Sequence, residues 1–230
     1  MLFSSFASSS KGNLYSLHSS KFSPLLLECG VPFRKLKELL NFELSGFSAC
    51  LLTHEHQDHA KSVHHVLKAG IDVYCSEGTA IALDIELHHR THILEPEKLT
   101  ELNGWKIIPF LTQHDAKEPL GFYISDGTEQ FLFATDTFCI RPKFKGLNQI
   151  AIECNYSKYL LPDTLHISLT RRLIKSHMSL ETTIKFLQAN DLSNISKIYL
   201  LHLSSRHSDA KMFQKKIQEI TGKEVVVANE

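Results

Sequence analysis

Residues 53–59 read Thr-His-Glu-His-Gln-Asp-His, an H-x-H-x-D-H cluster set directly behind the apolar run Ala49-Cys50-Leu51-Leu52. A strand that runs into such a loop delivers four metal-capable side chains, His54, His56, Asp58 and His59, to one place. His54 and His56 stand two apart, so an extended backbone projects both to the same side. Asp58 and His59 follow where the chain turns and can reach a second point nearby. Imidazole mixed with carboxylate suits zinc, manganese or iron rather than calcium or magnesium alone. The embedded acid and the strand-to-loop setting separate this cluster from a low-specificity His tract.

Four ligands from one loop cannot close two metal sites, so others must come from later strand ends. Three residues stand where loops leave apolar runs: His114 after Ile107-Ile108-Pro109-Phe110-Leu111, Asp136 after Phe131-Leu132-Phe133-Ala134, and His202 after Ile198-Tyr199-Leu200-Leu201. Ligand-type side chains at strand ends are where site chemistry usually sits. One such His alone signals little, but the recurrence after three separate runs points to a shared centre.

The pattern around these residues alternates short β-like runs with amphipathic stretches. Strands are expected at 2–6, 14–17 and 24–29, with turn material at 8–13 and 19–23. A helix enters at Pro32, a buried strand at 47–53 feeds the His loop, and a helix over 60–69 stops at Gly70. A strand at 72–75 and a helix at 79–87 precede strands at 105–112, 120–125, 130–134 and 150–154, with Asp126-Gly127 as a hairpin turn. A helix capped by Ser179, a strand at 195–201, a helix at 209–220 and a strand at 224–228 complete the chain. This order predicts a mixed α/β fold, two sheets packed together with helices outside, in one domain over 1–230.

Composition narrows the function. Lys plus Arg and Asp plus Glu number 25 each, so the formal charge is zero and no global basic field draws in nucleic acid. Any such substrate must be held by local features. Cys29, Cys50, Cys75, Cys139 and Cys154 are scattered and odd in number, which reads as reduced thiols of a cytoplasmic protein. The Ser-rich start lacks a basic segment and an apolar stretch of signal length, and no run approaches a membrane span.

The order His-x-His-x-Asp-His, then a separate His, Asp and His, resembles the metallo-β-lactamase fold superfamily over nearly the whole chain, with its four-layer αββα sandwich. Ser8-Ser9-Ser10-Lys11-Gly12-Asn13, Leu26-Leu27-Glu28-Cys29-Gly30, Ile152-Glu153-Cys154-Asn155-Tyr156 and Ser176-His177-Met178-Ser179 are similar to elements of its YycJ/WalJ-like branch. Ribonuclease Z enzymes of the superfamily carry an equivalent Glu and His. The resemblance implies that His54, His56 and His114 hold one divalent ion, that Asp58, His59 and His202 hold another, and that Asp136 bridges them. Zinc is expected first, with manganese or iron as alternatives. It also implies Asp58, Glu153 and His177 as catalytic residues: a hydroxide shared by the ions attacks phosphorus, and His177, poised by Glu153, protonates the leaving oxygen. Glu28 stands where the branch has Asp, and Ser176 where it has Gly.

These features imply a dinuclear metal-dependent phosphodiesterase, an exonuclease on DNA more than RNA. Only 65 residues separate Asp136 from His202, which leaves no room for a large inserted nuclease domain. A hydrolase of a small ester, thioester or cyclic phosphodiester, and a metal-binding protein without turnover, are the competing readings. Lys11, Asn13 and Arg206 are minor candidates for phosphate contact, and His88, His89 and His92 form a surface-like group.

Overall fold

A computed structural model describes residues 1–162, 164 and 166–228, without the side chains of residues 167–169 and 171. The chain forms two compact units. One comprises Met1–Leu111 with Ala116–Thr128, the other Thr112–Asp115 with Glu129–Ala228.

In the first unit, β1 (Leu2–Ser9) and β2 (Gly12–His18) pair antiparallel, with Ser9 opposite Gly12. The turn is therefore far shorter than the 8–13 stretch suggested. Ser8 and Asn13 look like turn chemistry but are buried strand residues, because Tyr15 takes up both: Ser8 Oγ lies 2.7 Å from its hydroxyl, which donates to Asn13 Oδ1 at 2.9 Å. Strands β3 (Leu25–Leu27), β4 (Ala49–Leu51), β5 (Val73–Cys75) and β6 (Thr91–Ile93) extend the sheet in order, antiparallel onto β2 and parallel thereafter.

Strands β3 and β4 have three residues each and every one is buried. Burying a Leu contributes about 1.5–3 kcal/mol, whereas one backbone hydrogen bond contributes about 0.5–1.5 kcal/mol net. Burial of Leu25, Leu26, Leu27 and Leu51 thus outweighs pairing in holding these short strands. Helices α1 (Phe33–Leu39), α2 (Gln57–Ala60), α3 (Val63–Lys68) and α4 (Glu77–Ala82) follow successive strands. The helix expected over 60–69 is two helices. Asp58 and His59 already lie in α2, and Ser62, its hydroxyl donating to Val31 O at 2.6 Å, breaks the path before α3.

The antiparallel strands β7 (Thr100–Leu102), β8 (Trp105–Leu111) and β9 (Leu120–Ser125) complete this unit. Leu120 N donates to Thr53 O at 2.9 Å, which ties the start of β9 to the His segment.

The second unit holds four parallel strands, β10 (Gln130–Ala134), β11 (Gln149–Glu153), β12 (Lys197–Leu201) and β13 (Glu224–Val227). Its helices are α5 (Ile167–Ser176), α6 (Leu180–Gln188) and α7 (Ala210–Thr221). Ser179 caps α6, accepting from Thr182 N, and Asp209 caps α7, accepting from Met212 N. Helix α5 was absent from the sequence expectations, as were β6 and β7; α5 carries Thr170, Arg171, Arg172 and Lys175 among its apolar residues. The register sets Glu153 level with Leu201, so the ends of β11 and β12 bring Glu153 and His202 side by side. The carboxyl ends of parallel strands are where α/β proteins hold ligands.

The described cysteines are all free, and Cys29, Cys50, Cys75 and Cys154 are buried. No described helix is long and apolar enough to cross a membrane.

Gly30 sits where two backbones nearly touch. A Cβ built there would lie 1.7 Å from Asp58 O and 2.6 Å from His59 N. Because the obstacle is backbone, no rotamer relieves it. Gly30→Ala is expected to cost about 1–3 kcal/mol, lowering the thermal midpoint by about 2–4 °C per kcal/mol. Metal content should fall with it, since α2 must move; calorimetry beside metal analysis checks both.

Candidate metal centre

Each unit carries a cluster of ligand-type side chains. In the first, β4 delivers the chain to Thr53, whose N–H donates to Glu28 Oε1 at 3.3 Å. The Thr53 hydroxyl lies 2.9 Å from His54 Nδ1, and His54 Nε2 lies 3.1 Å from His56 Nδ1. Two ring nitrogens converging in this way can share one cation. On the other side of the segment, His59 Nε2 lies 3.5 Å from Asp58 Oδ2, while its Nδ1 lies 3.6 Å from Glu28 Oε2. A proton on Nδ1 facing Glu28 would turn the Nε2 lone pair toward the Asp58 carboxylate.

Glu28 is fully buried, at φ 65°, and its carboxylate reaches both Thr53 and the neighbourhood of His59. The longer side chain thus still faces the segment that an Asp would orient. Asn13, read from sequence as turn or surface material, is buried here. Its amide donates to Asp58 O at 3.0 Å and lies 3.1 Å from His59 Nε2.

In the second unit, Asp136, Glu153, His177 and His202 offer ligand atoms that all lie within 4.8 Å of one another. Glu153 is fully buried at the end of β11. Its Oε2 accepts from Thr137 N at 2.8 Å and Met178 N at 3.1 Å; its Oε1 lies 2.6 Å from His177 Nδ1 and 3.3 Å from His202 Nδ1. His202 Nδ1 also lies 3.2 Å from Asp136 Oδ1. Asp136 and His202 both adopt positive φ, 45° and 53°. Such backbone is costly for non-glycine residues and persists where surrounding structure enforces it, commonly at functional sites.

His114 completes this cluster. Its Nδ1 lies 2.8 Å from Ser176 O. A carbonyl only accepts, so Nδ1 carries the proton and Nε2 keeps its lone pair. That lone pair sits 3.6 Å from Asp136 Oδ2, an arrangement a divalent cation fits. Burial, only partly offset by Asp136, Ser176 O and Glu153, holds the His114 pKa below its ordinary value, so the neutral ligand form prevails. Ser176 ends α5 with ordinary helical backbone, so the Gly of the branch is not needed for conformation.

Sequence reasoning gave no role to Asp115, Arg172 or Thr137, and named Asn155 only within the Glu153-Cys154-Asn155 resemblance. Asp115 Oδ1 lies 3.4 Å from His114 Nε2, and Arg172 Nε lies 3.5 Å from Asp115 Oδ2. Asn155 donates to His202 O at 2.7 Å, and Thr137 anchors the Asp136 loop through Gln113 N at 2.9 Å. Asp115 and Thr137 adjoin residues already singled out in sequence, whereas Arg172 has no such neighbour. Among the described histidines outside these clusters, His65 stacks on Phe33, His88 on His89 and His92 on Tyr74. Arg206 is exposed.

A sequence model of the family described as the beta-lactamase superfamily domain matches residues 25–203. The exodeoxyribonuclease WalJ of Streptococcus pneumoniae is 29% identical over 223 residues, covering 90% of this chain and 82% of that protein. The exodeoxyribonuclease YycJ of Bacillus anthracis is 23% identical, covering 95% and 88%. Among solved structures, the metallo-beta-lactamase fold protein YhfI of Bacillus subtilis superposes with a TM-score of 0.73 at 14% identity, covering 99% and 96%. That likeness bears out the mixed α/β fold of the metallo-β-lactamase type.

Charge in the Glu153–His177 pair has a definite sign. Burial disfavours the imidazolium, but the charge and hydrogen bond of Glu153, with Asp136, outweigh it, so the His177 pKa is raised. Burial likewise disfavours the Glu153 carboxylate, yet His177 and His202 outweigh it and its pKa is lowered. The raised His177 pKa contributes stability that is full below the ordinary value of 6.5 and is lost as pH rises through the folded value. The lowered Glu153 pKa contributes stability present above its ordinary 4.5 and lost as pH falls through the folded value. In chelator-treated protein, the His177 ring proton should titrate above 6.5 by NMR, and Glu153→Gln should move that titration downward. An unchanged midpoint in Glu153→Gln would contradict the pairing.

Proposed function

The chain belongs to the metallo-β-lactamase superfamily, and from that premise we propose that it is a dinuclear metal-dependent phosphodiesterase working as an exonuclease on DNA. The observation that carries this reading is the 2.6 Å contact of buried Glu153 with His177 beside Asp136 and His202. A His whose pKa is raised by a buried carboxylate, next to a ligand-type cluster, suits protonation of an alkoxide leaving phosphorus. A hydrolase of a small activated ester needs it less. The exodeoxyribonuclease relatives support DNA as the substrate.

In this reading the two units work as one hydrolase domain spanning 1–230. His54, His56 and His114 would hold one ion; Asp58, His59 and His202 would hold the other, with Asp136 serving both. Zinc suits this donor set first, and manganese or iron also fit. Divalent ions, when bound, supply Lewis-acid charge for an in-line displacement at phosphorus. The protein's own part is positional. Glu28 and Asn13 orient the Asp58–His59 segment, Asp58 can take a proton from the attacking water, and Ser176 O fixes the His114 tautomer. Glu153 fixes the His177 ring through Nδ1, leaving Nε2 to give a proton to the leaving oxygen. The five free thiols suit a cytoplasmic setting.

End-labelled single- and double-stranded DNA and RNA, incubated with metal-loaded protein, test this. Stepwise shortening of DNA from one end is expected, and Asp136→Ala should abolish it while lowering metal content. His177→Ala should slow cleavage about 10²–10⁴-fold with metal largely retained. Equal metal loss in both variants would make His177 a ligand or structural residue. Turnover of esters with every nucleic acid left intact would overturn the nuclease reading.

A further inference from the structure

With no net charge, the protein must hold a polyanion through local cations, and the second unit contains such a place. A groove of about 250 Å³ opens between the loop that follows Asp136 and helix α6, which follows His177. Arg141, Lys143 and Lys185 line it with Thr182 and Asn190, and no carboxylate is among its lining residues. Phe186, whose ring meets Phe144 edge to face, forms its apolar wall. All three cations are exposed. Elsewhere in this unit, Arg172 faces Asp115, Lys197 faces Glu224 and Lys215 faces Glu219.

The groove is also mechanically joined to the ligand cluster. Arg141 Nη2 donates to Gln113 Oε1 at 3.3 Å, and Gln113 precedes His114. Phe138 N donates to Gln113 O at 3.0 Å, while Thr137 takes Gln113 N and gives its own N–H to Glu153. One end of the groove is therefore fixed by the same residues that set His114, Asp136 and Glu153. Lys185 stands on α6 five residues beyond its first residue, about 7.5 Å along a helix rising 1.5 Å per residue. Cations spaced along a path that starts at the cluster suit a strand carrying one charge per nucleotide.

We propose that Arg141, Lys143 and Lys185 form a phosphate-binding subsite that grips a single DNA strand beyond the bond being cut. This rests on the nucleic-acid reading above and adds where the strand lies. The subsite is electrostatic, so it contributes affinity without base preference and weakens with salt.

Binding of a fluorescein-labelled single-stranded DNA dodecamer with hydrolysis-resistant phosphorothioate links, followed by anisotropy over a salt series, tests this on the metal-loaded protein. Replacing Arg141, Lys143 and Lys185 by Ala together should weaken binding about tenfold or more at low salt. The slope of log affinity against log salt should shrink by about two, at roughly 0.7 per lost phosphate contact. Because Arg141 also bonds Gln113, the Lys143→Ala/Lys185→Ala pair is the second variant, and its slope should shrink by about one. Removing the same charge from α7, as Lys211→Ala, Lys215→Ala and Lys216→Ala, should leave the slope as in the parent. If the groove variants keep the parent slope, or the α7 variant loses as much, the subsite is overturned while the nuclease reading stands. If the parent protein binds neither this DNA nor the matching RNA, the nucleic-acid reading falls and the groove's ligand with it.

Discussion

The Glu153 carboxylate is the interaction on which the second unit's cluster depends. It is fully buried, and a buried carboxylate is tolerated only when its oxygens are taken up. Here they are taken up by Thr137, Met178, His177 and His202. These four partners come from three segments that must pass the end of β11. The loop carrying Asp136, the link between α5 and α6, and the end of β12 are thereby drawn to one carboxylate. Loss of the charge would disturb placement and protonation together, which is why a single acid at a strand end can matter as much as any ligand.

The first unit reaches its geometry by other means. Its ligand segment is held by backbone closeness at Gly30 and by two buried polar side chains, Asn13 and Glu28. Asn13 shows how chemistry can be disguised by composition. In a Ser-Lys-Gly-Asn context it reads as a turn, yet the strand continues through it and its amide faces the Asp58–His59 step. Glu28 departs by one methylene from the branch it resembles. The positive φ at that position and the bond to Thr53 N let the longer acid occupy the orienting place. The Ser176 departure is accommodated more simply, since a helical residue needs no glycine.

Electrostatics distinguishes the clustered side chains from the groove beside α6. The clustered groups compensate one another: burial lowers the His114 pKa, while the Glu153 charge and hydrogen bond raise that of His177. The exposed cations of the groove beside α6 are not compensated by lining acids. A neutral protein can in this way keep weak nonspecific attraction and still present a local track for phosphates.

What sequence determined by itself is which ligand-type side chains stand behind apolar runs, and the strand-to-loop settings that deliver them. Residue spacing decides which side chains share a side of a strand, so His54, His56, Asp58 and His59 were legible, as were His114, Asp136 and His202 at the ends of apolar runs. The Glu153 and His177 elements were legible only through resemblance, because 24 positions separate them and no local pattern links them. Tertiary structure alone decided that Asp58 and His59 ride on a short helix, that Asn13 is buried, that the Asp115 carboxylate turns toward His114 Nε2, and that α5 exists. Those outcomes depend on contacts between distant segments, such as Ser62 with Val31 or Ser176 with His114, and on register that sets Glu153 beside Leu201. Local periodicity carries no information about them, whereas packing and the requirement that every buried polar group find a partner do.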